Sequence, residues 1–89
     1  MSEGLRSTTI KLVGKVAERD PNSISTSDLL VDDLGFDSLM LISLIVDIEQ
    51  ELGLEIPPEG MLPETFSTVG SVVAYLEELA TRKSTEQPA

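Results

Sequence analysis

The amino-acid sequence predicts an all-α fold, a small bundle of three main helices and one short helix joined by two long connections. Apolar residues recur at steps of three and four in three separate segments, which is the spacing of amphipathic helices. Segments that contain proline and glycine separate these three helices. With 89 residues, the chain is long enough for one domain with a single small core.

The first helix is predicted over residues 5–19. Its apolar face comprises Leu5, Thr9, Leu12, Val13 and Val16. Lys11, Lys15 and Arg19 recur at intervals of four on another face, which we expect to lie in water. The helix should stop before Pro21, because the residue that precedes a proline avoids the helical region.

The first long connection spans residues 20–36. It contains five large apolar side chains, Ile24, Leu29, Leu30, Leu34 and Phe36. Because so many apolar groups cannot remain in water, we expect this loop to pack across the helix ends, with a short turn of helix near residues 27–30. Loops of this length in compact domains are often functional.

The central helix is predicted over residues 38–52, with Asp37 as its N-cap and Gly53 as its C-terminal stop. The side chains expected to form its buried stripe are Leu39, Ile42, Ile45, Ile48 and Leu52. Met40, Leu41 and Val46 are apolar but lie off this stripe.

The second connection spans residues 54–67, in which residues 63–66 are predicted to form the short helical turn because proline suits the first helical position. Ser67 or Thr68 should cap the last helix. The buried stripe expected for that helix is Val69, Val72, Val73, Leu76 and Ala80. We expect a folded domain over residues 1–82 and a disordered tail over 83–89.

Composition excludes several functions. The chain has no cysteine and no histidine, which removes thiol nucleophiles, thiolate metal sites and the usual general base. The acidic run around residues 28–33 lacks the ligand spacing of an EF-hand, so we expect no metal site. No secretory signal or membrane-spanning segment is visible, which predicts a soluble cytoplasmic protein. We also expect it to be a monomer and not an enzyme.

Charge is distributed unevenly along the chain. Between Asp20 and Ala80 there are thirteen acidic residues and no basic residue, a local net charge of −13. Such a surface repels nucleic acid and anionic membranes and complements a basic protein partner. It also keeps a small domain in solution, and this simpler interpretation stays open.

One serine stands out as a candidate site. Gly35 permits a left-handed backbone where the loop meets the central helix, and Asp37 caps that helix. Ser38 then occupies the first helical position, where its hydroxyl should be exposed. Without histidine Ser38 has no base to activate it, so it is better suited to being modified than to attacking a substrate. On spacing alone, a serine that merely lies near a helix N-terminus is the simpler interpretation.

Residues 33–39, Asp-Leu-Gly-Phe-Asp-Ser-Leu, closely resemble the signature of the acyl carrier protein family. The likeness continues through residues 48–57 and 65–76 and covers about residues 5–81 of this chain. It implies a four-helix acyl-carrier-like bundle. It also implies that a phosphopantetheinyl transferase attaches 4′-phosphopantetheine from coenzyme A to Ser38, between Asp37 and Leu39, and that the thiol of this arm carries an acyl thioester.

The resemblance leaves the cargo open. Met40, Ser43 and Gln50 stand where housekeeping fatty-acid carriers usually have more acid, which looks more like a discrete carrier of a polyketide, fatty-acid-like or other specialised pathway. Its expected partners are a ketosynthase, an acyltransferase or a ligase. A peptidyl, aminoacyl or D-alanyl carrier is the alternative. A helical protein-interaction domain without a prosthetic group is an alternative of another class.

A partner-binding face is predicted on the second helix. Helical spacing places Met40, Ser43 and Val46 on one stripe, with Asp47 and Gln50 at its edge. Apolar contact at the centre and charge at the rim are typical of protein interfaces. The alternative is that Met40 and Val46 cover the loops and are half-buried.

Overall fold

The computed structural model describes residues 2–61 and 63–86, with side chains for residues 4–58, 60–61 and 63–81. Three α-helices form the fold, α1 (Ser2–Ala17), α2 (Ser38–Leu52) and α3 (Val69–Glu86). Two 3₁₀ turns, Pro21–Ser23 and Pro58–Gly60, lie in the connections. The predicted all-α class is confirmed, and no helix in the described part of the chain is long and apolar enough to cross a membrane.

The core lies where α1 packs against both α2 and α3. Its buried apolar side chains are Leu12, Val13, Ile24, Leu30, Leu34, Phe36, Leu44, Ile48, Ile56, Phe66, Val69, Val72, Val73 and Leu76. Residues from the two long connections supply six of these. Four come from the first connection, as its apolar content predicts. Thr9 is also fully buried, and its hydroxyl donates a hydrogen bond of 2.8 Å to the Leu5 carbonyl oxygen.

The first helix ends two residues earlier than predicted. Glu18 adopts a left-handed backbone with φ 58°, and the Arg19 amide donates to the Gly14 carbonyl oxygen at 2.9 Å. This hydrogen bond closes the helix in the manner of a Schellman cap. The left-handed residue of such a cap is usually glycine, so the glutamate at this position gives no sequence signal for the stop.

The predicted short helix is a 3₁₀ turn and lies elsewhere in the second connection, at Pro58–Gly60. Residues 63–66 form turns instead of a helix. The helical turn expected near residues 27–30 is also absent, because Leu29 there pairs with Thr68 in an antiparallel bridge.

The second helix has the predicted bounds and caps, but its buried stripe was predicted only in part. Ile48 is fully buried as predicted, and Ile45 and Leu52 pack against the core. Leu39 and Ile42 are instead 75% and 57% exposed, and Leu44, which was not predicted, is fully buried. The physical reason is that residues 39–46 are apolar nearly all round the helix, so spacing cannot select the inner face. Contacts with α1 and with the loops select it instead.

The last helix begins as predicted, with Thr68 as its cap. Thr68 Oγ1 accepts from the Ser71 amide, and Ser71 Oγ accepts from the Thr68 amide, both at 3.0 Å. The predicted stripe of α3 is buried except at Ala80, which is exposed. The helix continues to Glu86, beyond the expected domain boundary at residue 82. Residues 87–89 of the expected tail lie outside the described residues.

A pair of leucine substitutions on α2 tests which face is buried. Leu44→Ala should lower the free energy of unfolding by about 3 kcal/mol, because it opens a cavity in the core. Leu39→Ala should change it by less than about 0.5 kcal/mol, because Leu39 is mostly in water. Urea denaturation of both variants measures the difference. Equal losses would contradict the assignment of the inner face.

Candidate functional site

The first connection is held against the start of α3 by backbone hydrogen bonds. The Leu30 amide donates to the Ser67 carbonyl oxygen at 3.0 Å, and the Val69 amide donates to the Asp28 carbonyl oxygen at 3.0 Å. A third bond of 2.8 Å runs from the Gly70 amide to the Thr26 carbonyl oxygen. We refer to residues 26–30 and 67–70, joined in this way, as the clasp.

Glycine at position 70 permits this close approach. A Cβ atom built at Gly70 would lie 3.0 Å from the Thr26 carbonyl oxygen, which is tighter than most contacts of that kind. The clasp also buries Leu30, which is completely inaccessible to solvent. The long loop is therefore fixed to the helical core several residues before it reaches Ser38.

Between the clasp and α2 the chain makes a compact turn. The amides of Leu34 and Phe36 donate to the carbonyl oxygens of Leu29 and Leu30, and both donor side chains are buried. Gly35 lies between them with φ 74°, the left-handed backbone predicted from the sequence. The turn therefore directs two apolar side chains into the core and brings the chain back to the surface at residue 37.

Aspartates in this loop hold backbone amides. Asp33 Oδ2 accepts from the Leu29 amide at 2.7 Å, and Asp28 Oδ2 accepts from the Ser25 amide at 2.9 Å. Asp37 Oδ1 accepts from the Met40 amide at 2.9 Å, which confirms Asp37 as the N-cap of α2. These acids therefore shape the loop, a role that the sequence analysis predicted only for Asp37.

Ser38 is the first residue of α2 and is exposed to solvent. Its hydroxyl makes no hydrogen bond with any residue that the structure describes. Its neighbours Asp37 and Leu39 are exposed as well. The site can therefore accept a phosphodiester that extends into water, next to the positive end of a helix whose dipole favours an anion by about 0.3–1 kcal/mol. The arrangement fits a covalently attached arm that the protein surface does not enclose.

An apolar cleft of about 440 Å³ lies beside the first turns of α2. Leu41 and Ile45 form its α2 side, and residues of the two connections, among them Val31, Met61 and Phe66, line the other side. Leu41 follows Ser38 by three residues, so the cleft lies on the side of the helix adjoining the candidate site. The sequence analysis missed this cleft. Val31 and Met61 could have indicated the cleft, because they are apolar residues that belong to no predicted buried stripe.

The residues predicted to bind partners do not form a single exposed face. Ser43, Val46 and Gln50 are exposed, whereas Met40 is half-buried and packs against the core. The Asp47 carboxylate lies 3.9 Å from Lys15 Nζ, so Asp47 faces α1. The apolar side chains exposed on this helix are Leu39, Ile42 and Val46. They lie three and four residues apart and so form one stripe that begins next to Ser38.

Replacing the N-cap of α2 tests how the helix start is held. Asp37→Ala should lower the free energy of unfolding by about 1 kcal/mol, because the Met40 amide loses its acceptor. Asp37→Asn should keep most of the stability, since asparagine caps helices about as well as aspartate. Chemical denaturation of the two variants provides the measurement. If Asp37→Asn lowered the free energy of unfolding as much as Asp37→Ala does, the charge of Asp37 and not its capping hydrogen bond would stabilise the start of the helix.

Comparison with known proteins places residues 8–76 in the family described as the phosphopantetheine attachment site. An acyl carrier protein of Clostridium perfringens is 46% identical over 57 residues, which cover 64% of this chain and 72% of that protein. The meromycolate extension acyl carrier protein of Mycobacterium tuberculosis is 35% identical over 69 residues, 78% of this chain and 58% of that protein.

Solved structures support the same fold. The holo acyl carrier protein of Nitrosomonas europaea matches with a TM-score of 0.76 at 18% identity, over 85% of this chain and 95% of that one. A chain in the complex of the Bradyrhizobium japonicum glycine:[carrier protein] ligase with glycylated carrier protein matches with a TM-score of 0.61 at 29% identity, over 75% and 92%. The protein therefore belongs to the acyl carrier protein family, whose members are not enzymes and bind 4′-phosphopantetheine.

Proposed function

We propose that Ser38 is the residue to which 4′-phosphopantetheine is attached, and that the protein carries acyl intermediates on this arm from one enzyme to the next. The observation that supports this most strongly is the exposed hydroxyl at the first position of α2, within the segment that matches the family. A modifying enzyme can reach this hydroxyl without moving any part of the core.

The chain's own residues hold the serine in place. The arm supplies the thiol that carries the cargo as a thioester. The protein itself has no thiol, because it has no cysteine. Gly35 and the buried Phe36 orient the end of the loop, and Asp37 fixes the first turn of α2. The Asp37 carboxylate beside Ser38 accepts from the Met40 amide, so we propose that the transferase that takes the arm from coenzyme A supplies the base that accepts the proton of Ser38.

The cargo we propose is an acyl group of a polyketide, fatty-acid-like or other specialised pathway in the cytoplasm. The face of α2 next to Ser38 supports this, because its exposed stripe is apolar and not acidic. The 35% identity to a meromycolate extension acyl carrier protein agrees with acyl cargo. The partners would then be a phosphopantetheinyl transferase and a ketosynthase, acyltransferase or ligase, and the carrier would act as a monomer.

An aminoacyl cargo is the second candidate. It is favoured by the match to a chain in a complex of a glycine:[carrier protein] ligase with glycylated carrier protein. The same serine would carry the arm in both cases, so the two candidates differ only in the group held by the thiol.

Replacing single serines on α2 tests the attachment residue. Incubation with coenzyme A and a transferase should add the mass of one phosphopantetheine to the wild type and to Ser43→Ala, but not to Ser38→Ala. Ser43 is the matched control, since it is also an exposed serine of α2. Intact-mass spectrometry gives the result, and circular dichroism checks that each variant is folded. Mass gain by Ser38→Ala would overturn the assignment, and no gain by wild type would favour an interaction domain without an arm.

We also propose that partners dock on the exposed stripe of α2, Leu39, Ile42 and Val46, with Ser43 and Gln50 beside it. This differs from the face predicted from the sequence by excluding Met40, which packs inward, and Asp47, which faces Lys15. The stripe begins next to Ser38, so an enzyme bound there would have its active site close to the base of the arm.

A charge placed on the stripe tests this docking face. Val46→Asp should slow transfer of cargo to a cognate enzyme about fivefold or more, since truncating a central contact typically costs about 1 kcal/mol. The melting temperature should stay unchanged, because Val46 is 42% exposed. Ala74→Asp adds the same charge on an exposed site of α3 and is the control. Equal slowing by Ala74→Asp, or unfolding by Val46→Asp, would place the docking face elsewhere.

A further inference from the structure

Four of the six basic residues of this acidic protein lie on α1 or just after it. They are Arg6, Lys11, Lys15 and Arg19, the cationic side chains that the structure describes. Residues 20–80 contain thirteen acids and no base. The carboxylates elsewhere on the surface repel an anionic partner, so such a partner would be attracted to the part of the surface where these cations lie.

Two of these cations border a groove between α1 and the 3₁₀ turn Pro21–Ser23. The groove has a volume of about 490 Å³. Ile10, Ile24 and Pro21 form its apolar part, and Arg6 and Lys11 lie along it. The groove therefore combines apolar surface with two positive charges.

Arg6 and Lys11 are available to a partner. In the described part of the chain, Lys15 forms an ion pair with Asp47 at 3.9 Å. Neither Arg6 nor Lys11 forms an ion pair with a described side chain. Asp20 precedes the lining residue Pro21, and its Oδ1 accepts from the Asn22 amide at 2.9 Å. This carboxylate already caps the 3₁₀ turn.

The Arg6 end of the groove is turned away from α2. Arg6 and Lys15 are nine residues apart on α1, about two and a half turns, which puts them on opposite sides of the helix. Lys15 reaches Asp47 on α2, so the Arg6 side of α1 faces away from α2. Lys11 is four residues from Lys15 and therefore lies closer to the α2 side.

We propose that this groove binds a short acidic segment of a partner protein, with an apolar side chain against Ile10 and Ile24 and carboxylates at Arg6 and Lys11. Charge complementarity supports an acidic occupant. A long polyanion such as nucleic acid would extend beyond the groove and be repelled by the acidic surface around it. A short segment is favoured instead, because salt at 0.1 M screens charges beyond about 10 Å and so weakens its repulsion by carboxylates outside the groove. Such a contact would let one protein hold the carrier while another uses its arm.

The test uses the full-length protein labelled with ¹⁵N and two synthetic peptides. In the first peptide, glutamates flank a pair of leucines, and in the second, glutamines replace the glutamates. Amide shifts at Ser7, Lys11 and Asn22 should respond to the acidic peptide and not to the neutral one. Arg6→Glu should weaken the binding about fivefold. Lys15→Glu, the same charge change on the α2 side of α1, should weaken it less than about twofold.

Several results would overturn the proposal. Equal loss of binding in Arg6→Glu and Lys15→Glu would mean that net charge alone attracts the peptide. Equal binding of the neutral peptide would remove the role of the cations, and shifts centred on α2 would place the site elsewhere. Tighter binding of a single-stranded oligonucleotide than of the acidic peptide would identify the groove as a site for nucleic acid instead. Both variants change exposed side chains, and their melting temperatures serve as the folding control.

Discussion

The three hydrogen bonds of the clasp are the constraint on which the candidate site depends. Without them, the chain between α1 and α2 would be a long loop with apolar side chains and no fixed path, at a large cost in conformational entropy on folding. The clasp fixes residues 26–30 to the start of α3, and the burial of Leu30, Leu34 and Phe36 follows from that attachment. The end of the loop, and therefore the beginning of α2, then occupies one position.

This arrangement would give the arm that we propose at Ser38 a fixed base. The loop and the Asp37 cap of α2 place Ser38 at the surface, and the residues before it fix its position. The acids of the loop accept hydrogen bonds from backbone amides. A carrier needs a surface that several enzymes can recognise in turn. The exposed apolar stripe of α2 and the cationic groove beside α1 are the two surfaces that we propose for this role.

The sequence predicted those features that depend on local chemistry. The bounds of α2 were correct because Asp37 and Gly53 are strong helix caps, and the exposed Ser38 followed from them. Its inner face was not predictable, since apolar residues surround its first turns and tertiary contacts decide which are buried. The end of α1 was missed because glutamate takes a glycine-like conformation there. The clasp has no side-chain pattern at all, because its bonds join backbone groups.

Hydrogen exchange of individual amides tests the role of the clasp most directly. Val69 and Gly70 are the first two residues of α3, where amides have no acceptor within the helix, so their protection must come from Asp28 and Thr26. The account predicts that the amides of Leu30, Val69 and Gly70 exchange as slowly as those in the middle of the helices. If instead they exchange as fast as the amides of exposed loops, the clasp does not hold the loop in solution and cannot be what positions Ser38.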